Sequence, residues 1–340
     1  MSLEKLNVAM VGVGGFGAYR RDRMRETGLF NLISAYDRNA EVLADACAKE
    51  GCRAASSYEE LLEMKGIKAV IISTGAKFHT EQAAAAMERG FHVFIEKPLC
   101  STPAELDMLI GMQKTTSVVA AVGHNDLHGD PKCREVKRMI DDGELGAIAC
   151  VECATAHSGG LEIRPGDWRG DPARNPGGML FQCGVHSLHE LMFYFGPVRR
   201  VFCSMRYDVR PEVATADAAQ CVLEFESGLI GTLGAYYVTP VHSMINILGT
   251  KRALFLEDRY LEPGRYEMQN RGCNVPEPRL PITFGTEQKD PASNLRSFYK
   301  AIMEGGTPYP SLLDGARPVA VVFAADESSR SGRMEVVRSL

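Results

Sequence analysis

Apolar and polar positions change rhythm along this chain. In the first third, short and nearly continuous apolar runs cover residues 6–11, 32–36, 69–73, 91–95 and 117–122. Each is bounded by turn residues, the pattern of strands buried on both faces. Between them lie helix-like stretches, from about Ala18 and then at 40–49, 57–65, 80–89 and 103–114. Strand and helix alternating at this spacing predict a doubly wound parallel sheet with helices on both faces, a Rossmann arrangement.

From residue 124 the pattern differs. A helix is predicted over 133–142, and strands over 148–155, 198–207, 218–226, 229–237 and 245–249. Only one helix, over 186–194, interrupts them, and Ser227-Gly228 is a short hairpin signal. Helices over 293–304 and 316–331 close the chain. The fold class is therefore α/β, a Rossmann domain followed by an α+β domain with a large, mostly antiparallel sheet. The expected domains are 1–123, binding NAD(P), and 124–340, binding substrate and forming oligomer contacts. The last helices can pack back on the first domain.

Composition narrows the function. The 340 residues are 45% hydrophobic and 24% charged, as in globular proteins, and the net charge of −5 lacks the basic surplus of a general nucleic-acid binder. Neither a nucleic-acid nor a membrane partner is expected, since no apolar stretch approaches ~20 residues. Met1-Ser2-Leu3-Glu4-Lys5 leads straight into the first strand, without the apolar core of a secretion signal, so the expected location is the cytoplasm. Of ten cysteines, Cys47, Cys150, Cys153, Cys203 and Cys221 fall in apolar or regular segments and read as core thiols. Cys150-x-x-Cys153 lies in a strand and has no second pair at zinc spacing, so no redox or metal role is assigned to it.

Two motifs carry chemistry in the first domain. Gly12, Gly14 and Gly17 form G-x-G-x-x-G between a strand and a helix. The first glycine allows the tight turn, the second admits a pyrophosphate, and the third lets helix and strand approach. Asp37 lies twenty residues beyond Gly17 at the end of the second strand, where a carboxylate binds ribose hydroxyls. Its charge favours NAD; Arg38 beside it leaves NADP open, because it could pair with a 2′-phosphate. The fourth strand ends in Glu96-Lys97-Pro98, placing an ammonium at the ligand end of the sheet, where it can stabilise a developing alkoxide.

Further elements join these: Thr74…His79, Asp142-Gly143-Glu144-Leu145-Gly146, Trp168-Arg169, Gly177-Gly178…Gly184…His186, Phe225-Glu226-Ser227-Gly228 and Gly249-Thr250-Lys251. Together they resemble the glucose–fructose oxidoreductase/inositol dehydrogenase (Gfo/Idh/MocA) family over nearly the whole chain. The third-strand motif departs from the family's T-P-N-x-x-H, with Gly75 and Ala76 in place of Pro and Asn. The resemblance implies hydride exchange at a sugar or polyol carbon, with Lys97 contacting both the substrate hydroxyl and the nicotinamide ribose. It implies cofactor contacts from Gly12, Gly14, Gly15, Phe16, Gly17, Asp37, Arg38, Ser73, Thr74, His79, Glu96 and Lys97. A cis Lys97–Pro98 bond and oligomers built through the open sheet face are common in such proteins.

In the second domain, Gln182…Gly184…His186…His189 resembles the family's D-x-G-x-H-x-x-D. His186 takes the position of the general base, a task suited to an imidazole near neutrality. Read alone, it would be a buried helix histidine. Gln182 replaces the usual aspartate and supplies no charge, so the family's aspartate–histidine dyad is altered. His186 and His189, with Glu190 adjoining, have a spacing that could hold a metal if His124, His157 or Cys183 came close, but no metal is assigned. Substrate contacts are expected from His124, His157, Trp168, Arg169, Gln182 and His186. Tyr236-Tyr237 is read as sheet packing.

The reading is an NAD(P)-dependent oxidoreductase of a sugar, an inositol-like polyol or a related hydroxy compound, with Lys97 and His186 handling the reacting oxygen and its proton. Its partner is a polyhydroxylated small molecule, and the chain is expected to form a dimer or tetramer. Two other readings share the fold: an NAD-using glycosidase, and a non-catalytic dinucleotide-binding sensor.

Overall fold

The computed structural model describes residues 4–258, 264–271, 278–284 and 288–340. The start at Met1–Ser2–Leu3 and the tenth cysteine, Cys273, lie outside them. The chain divides into two compact units. One holds the residues up to Asp126 together with Asp290–Ala316; the other holds Leu127–Lys289 and Arg317–Leu340.

In the first unit β1 (Leu6–Val11) runs into a glycine turn and α1 (Phe16–Thr27). Then follow β2 (Phe30–Tyr36), α2 (Ala40–Glu50), β3 (Arg53–Ala54), α3 (Tyr58–Glu63), β4 (Ala69–Ile72), α4 (Ala76–Glu88), β5 (His92–Ile95), α5 (Pro103–Thr115) and β6 (Ala120–Val122). The six strands form one parallel sheet in the order β3-β2-β1-β4-β5-β6. The winding direction reverses between β1 and β4, so their C-terminal ends open the crevice in which such sheets bind ligands. Val8, Met10, Ile71 and Phe94 are fully buried, as continuous apolar strands covered on both faces must be. Local chemistry sets the helix ends. The Asn39 side chain accepts from the Glu41 and Val42 N–H groups at the start of α2, and Thr102 and Glu105 form a capping box with Pro103 at the first position of α5. α1 ends at Gly28 in the left-handed conformation.

The second unit begins with α6 (Pro131–Asp141) and β7 (Ile148–Ala156). A single π-helical turn, Leu180–Gly184, leads into α7 (Val185–Phe195). β8 (Val198–Arg206), β9 (Ala218–Phe225), β10 (Ile230–Tyr236), β11 (His242–Gly249), β12 (Arg252–Asp258), β13 (Gly264–Gln269) and β14 (Leu280–Pro281) follow. With β15 (Glu335–Val336) they build a nine-stranded sheet, β14-β13-β12-β11-β7-β10-β9-β8-β15. Among the described strands of this sheet only the β7–β10 pair is parallel. Along β9 the inward residues Ala219, Cys221, Leu223 and Phe225 alternate with more exposed ones, the period of a sheet packed on one face.

Asp290–Ala316 returns to the first unit and carries α8 (Ser293–Glu304). Leu295, Phe298 and Tyr299 of α8 join Met10, Phe30 and Phe94 in one core, and the Phe298 ring meets Phe94 edge-on at 5.6 Å. The final helix, α9 (Leu312–Ser331), extends the predicted 316–331 at its start.

The nine described cysteines are unbridged. Cys153, Cys203 and Cys221 are buried as expected, but Cys47 and Cys150 are only partly so. Cys150 and Cys153, an odd number of residues apart in β7, point to opposite faces of the sheet. No described helix is long and apolar enough to cross a membrane.

Candidate functional site: a dinucleotide cradle and a polar cluster

The glycine turn is shaped by close approach. Gly12 has φ +80°, and a Cβ there would stand 2.7 Å from the Ser73 carbonyl. A Cβ on Gly17 would meet the Gly12 carbonyl oxygen at 2.1 Å, and one on Gly14 would meet Val42 at 2.9 Å. Around Gly15, at φ +53°, the space is open. The first turn of α1 carries no acidic residue and no side-chain cap, and its Gly17 and Ala18 N–H groups donate within the loop, to the Gly14 and Gly15 carbonyls at 2.8 and 3.1 Å. Asp37 Oδ2 accepts from the Val13 N–H at 2.9 Å and the Gly14 N–H at 3.4 Å, while Oδ1 accepts from Asn39. The Ser73 hydroxyl, at the end of β4 beside Gly12, is buried with no hydrogen-bond partner. A turn kept narrow by glycines, the open space at Gly15 and an orphaned hydroxyl fit the diphosphate and ribose of a dinucleotide. Arg38 is exposed and forms no ion pair among the described residues, and Phe16 is also exposed.

Two residues expected at the cofactor point inward instead. His79 is buried, its Nδ1 2.9 Å from the Pro98 carbonyl oxygen and its Nε2 2.9 Å from that of Thr74. Bonds to two carbonyls favour the imidazolium, but burial outweighs them and holds the pKa below the ordinary histidine value. Both ring nitrogens face main-chain carbonyls and the neutral ring donates to one of them, so His79 is lodged between the ends of β4 and β5 and away from the cofactor. The Glu96 side chain is likewise buried, and its Oε1 accepts from Arg20 Nε at 2.6 Å. Spacing put both residues at the ligand end of the sheet, but it does not report which way a side chain turns. Thr74 donates its hydroxyl to Gln82 Oε1 at 2.6 Å. Lys97, between Glu96 and Pro98, is half-buried, and the Lys97–Pro98 bond is cis. His124 is fully buried in the same unit, where its carbonyl accepts from Asn294.

In the second unit the π-turn brings several predicted residues together. Gln182 donates its amide N–H to Asn175 Oδ1 at 3.2 Å, and Asn175 donates to the Arg169 carbonyl at 2.7 Å. Cys183 Sγ lies 3.6 Å from His157 Nε2. His157 Nδ1 accepts from the Gly159 N–H at 2.9 Å, which assigns the neutral ring's proton to Nε2. Arg169 grips Asp167 through Nε and Nη2, and this bond holds the carboxyl below the usual range. Trp168 is half-buried beside it. His186, also half-buried, is the second residue of α7, one turn beyond Gln182. His189 is buried; the adjoining Glu190 accepts from Lys132 at 3.1 Å and Tyr194 at 2.9 Å. Among the described residues no group of three or more His, Cys, Asp or Glu side chains could hold a metal.

Three members of this cluster were not foreseen. Tyr237, read as sheet packing, has His157 edge-on at 5.1 Å, and burial pushes its hydroxyl up to about 12. Arg210 lies over the Tyr237 ring and pairs with the buried Asp217 at 2.7 Å. Asn175 is the third, fully buried. The available signal was the Gly177-Gly178…Gly184 spacing around the turn, since wide turns inside helices recur at functional sites.

Residues 6–124 match the oxidoreductase family with the NAD-binding Rossmann fold, GFO_IDH_MocA, and residues 133–255 match the GFO/IDH/MocA C-terminal domain. A myo-inositol 2-dehydrogenase of Thermotoga maritima is 24% identical over 346 residues, spanning 98% of this chain and 99% of that one. A 4-carboxy-2-hydroxymuconate-6-semialdehyde dehydrogenase of Sphingobium is 26% identical, spanning 67% of this chain and 71% of the relative. Among solved structures, a Desulfitobacterium hafniense protein assigned as an NADPH-dependent oxidoreductase superposes with a TM-score of 0.90 at 26% identity, covering 99% of both chains.

Proposed function

The chain belongs to the Gfo/Idh/MocA oxidoreductase family, and from that premise we propose that it is an NAD-dependent dehydrogenase oxidising a CH–OH group of a sugar, an inositol-like polyol or a related hydroxy compound. The observation that carries this reading is the Glu96-Lys97-Pro98 turn. It sets a half-buried ammonium at the C-terminal end of β5, the end of the parallel sheet that also carries the glycine cradle.

In the oxidation direction, the substrate carbon loses a hydride with its electron pair and the hydroxyl loses a proton. Bound NAD supplies the acceptor for the hydride. Lys97 donates a hydrogen bond to the reacting oxygen and stabilises the charge that develops there. His186 accepts the hydroxyl proton, leaving a carbonyl. Gln182, fixed by Asn175, binds and orients substrate without adding charge to His186. His157 Nε2–H, Trp168 and Arg169 contribute further contacts to a polyhydroxylated small molecule. Asp37 gives the preference for NAD over NADP, and the enzyme works as a dimer or tetramer.

The test is an NADH-absorbance screen of sugars, inositols and sugar acids, run on wild type beside Lys97→Ala and His186→Ala. NADH formation from one compound class, lost in both variants, is the expected result. Full turnover in either variant sinks the role given to that residue. Tight NAD binding with no turnover on any compound sinks the dehydrogenase reading.

A further inference from the structure

Arg20 and Glu96 form the most enclosed ion pair in the first unit whose carboxylate adjoins a proposed functional residue. Their side chains are 2% and 5% exposed, and Arg20 Nε donates to Glu96 Oε1 at 2.6 Å. Arg20 lies on α1, three residues past the last glycine of the cradle, while Glu96 directly precedes Lys97. The Arg20 guanidinium also stacks over Phe94 at 4.7 Å and donates from Nη1 to Asn294 Oδ1 at 3.2 Å. Asn294 in turn donates to the His124 carbonyl at 2.8 Å. The second carboxylate oxygen of Glu96 is buried without a hydrogen-bond partner, and it lies 2.5 Å from where a Cβ on Gly123 would stand.

Stability alone accounts poorly for this arrangement. Two enclosed charges lose hydration that their attraction repays only with good geometry and full hydrogen bonding, and an apolar pair of similar volume often serves as well. Here one oxygen is left unsatisfied, and Gly123 provides the space that it occupies. What the pair does supply is a direct link between the helix that begins at the dinucleotide cradle and the main chain that presents Lys97.

We propose that Arg20 and Glu96 are positioning residues that couple dinucleotide seating on α1 to the placement of the Lys97 ammonium. The proposal rests on the role given to Lys97 above. Glu96 holds the turn from its N-terminal side, and His79, through the Pro98 carbonyl, holds it from the other. A shift of the cradle on binding is carried to Lys97 through one guanidinium rather than through the sheet.

The experiment uses the full chain and needs no substrate. Lys97 is acylated with trace acetic anhydride, with and without NADH, and its modification is followed by mass spectrometry. Wild type, Glu96→Gln, Arg20→Gln and Gly123→Ala are compared, each checked for a cooperative melt. NADH is expected to protect Lys97 in wild type, and most of that protection is expected to vanish in each variant, although NADH still binds at saturating concentration. With a substrate in hand, kcat should fall by about tenfold or more with little change in KM, as small misplacements of reacting groups do. Protection equal to wild type in folded Glu96→Gln and Arg20→Gln overturns the coupling and leaves the Lys97 assignment standing. Should those two fail to fold, unchanged protection in Gly123→Ala overturns it instead. No protection of Lys97 by NADH in wild type overturns both this proposal and the Lys97 assignment.

Discussion

Asp37 Oδ2 accepts a hydrogen bond from the backbone N–H of Val13 at 2.9 Å, so the acid at the end of β2 also holds the loop that follows β1. The acid therefore shapes the glycine turn, and the proposed function gives it a second task, presenting negative charge at the ribose. Asp37→Ser removes the charge. Losing a hydrogen bond to a charged group is worth about 1.5–3 kcal/mol, so NAD should bind at least about tenfold more weakly. NADP should lose less, because the repulsion of its 2′-phosphate goes too and Arg38 is exposed beside the site. Calorimetric titration with both nucleotides measures the ratio. An unchanged NAD-to-NADP preference would remove Asp37 from the discrimination.

Gly15 and Gly17 separate two reasons for glycine in one loop. Gly15→Ala meets open space, so its cost is that of the backbone alone, about 1–3 kcal/mol for an L-residue held at φ +53° and ψ −121°. Gly17→Ala drives a methyl into the Gly12 carbonyl at 2.1 Å and forces β1 and α1 apart. It should cost about 1–3 kcal/mol or more and weaken NAD binding with it. Urea unfolding should show both variants destabilised, and NAD titration should show the larger loss of binding in Gly17→Ala.

His79 predicts a pH dependence with a definite sign. Burial holds its pKa below the ordinary 6.5, so below that pH the unfolded chain binds a proton that the native chain resists. The contribution of the neutral ring is present in full above about pH 6.5 and is lost as pH falls through the window beneath it. His92 is shifted in the same direction, also by burial, so the comparison must be with a variant. Urea titrations at several pH values between 7.5 and 5 should show wild type losing more stability on acidification than His79→Gln. Parallel curves would show that His79 keeps its ordinary pKa.

Cys183 should react faster than the buried thiols described in the second unit. It is half-buried with His157 Nε2 3.6 Å away, whereas burial pushes Cys153 up to about 12, and Cys203 and burial hold Cys221 well above the ordinary thiol value. Brief treatment of the native protein with iodoacetamide should alkylate Cys183 before Cys153, Cys203 or Cys221, as peptide mapping would reveal. Equal labelling of the four would mean that the His157 contact does not persist in solution.

The first unit was readable because its signals are local and dense. β1 falls on the predicted 6–11 and α8 on the predicted 293–304, residue for residue. Apolar strands covered on both faces cannot be confused with their polar neighbours, and the glycine spacing has a mechanical cause. Less could be read where the answer depends on direction or on distant partners. Glu96 and His79 lie where spacing puts them but turn into the protein, because Arg20 and two carbonyls wait there. Tyr237 is drawn from sheet packing into the polar cluster by His157 and Arg210, which are remote in sequence. The short strands β3, β14 and β15 have too few residues to show a period. β12 follows Lys251 after a tight turn and lies outside the predicted strands, because the turn residues Gly249-Thr250-Lys251 read as the end of the strand region.

The return of α8 to the core of the first unit bears on how the protein comes to be made. Phe298 packs on Phe94 across two hundred residues of intervening chain, so on the ribosome the nucleotide domain stays unfinished until α8 has been synthesised. A gene fragment ending after β6 would leave Phe30, Phe94 and Met10 without their cover. A designer wanting the nucleotide domain by itself should splice the α8 segment onto β6 rather than cut the gene at the apparent boundary.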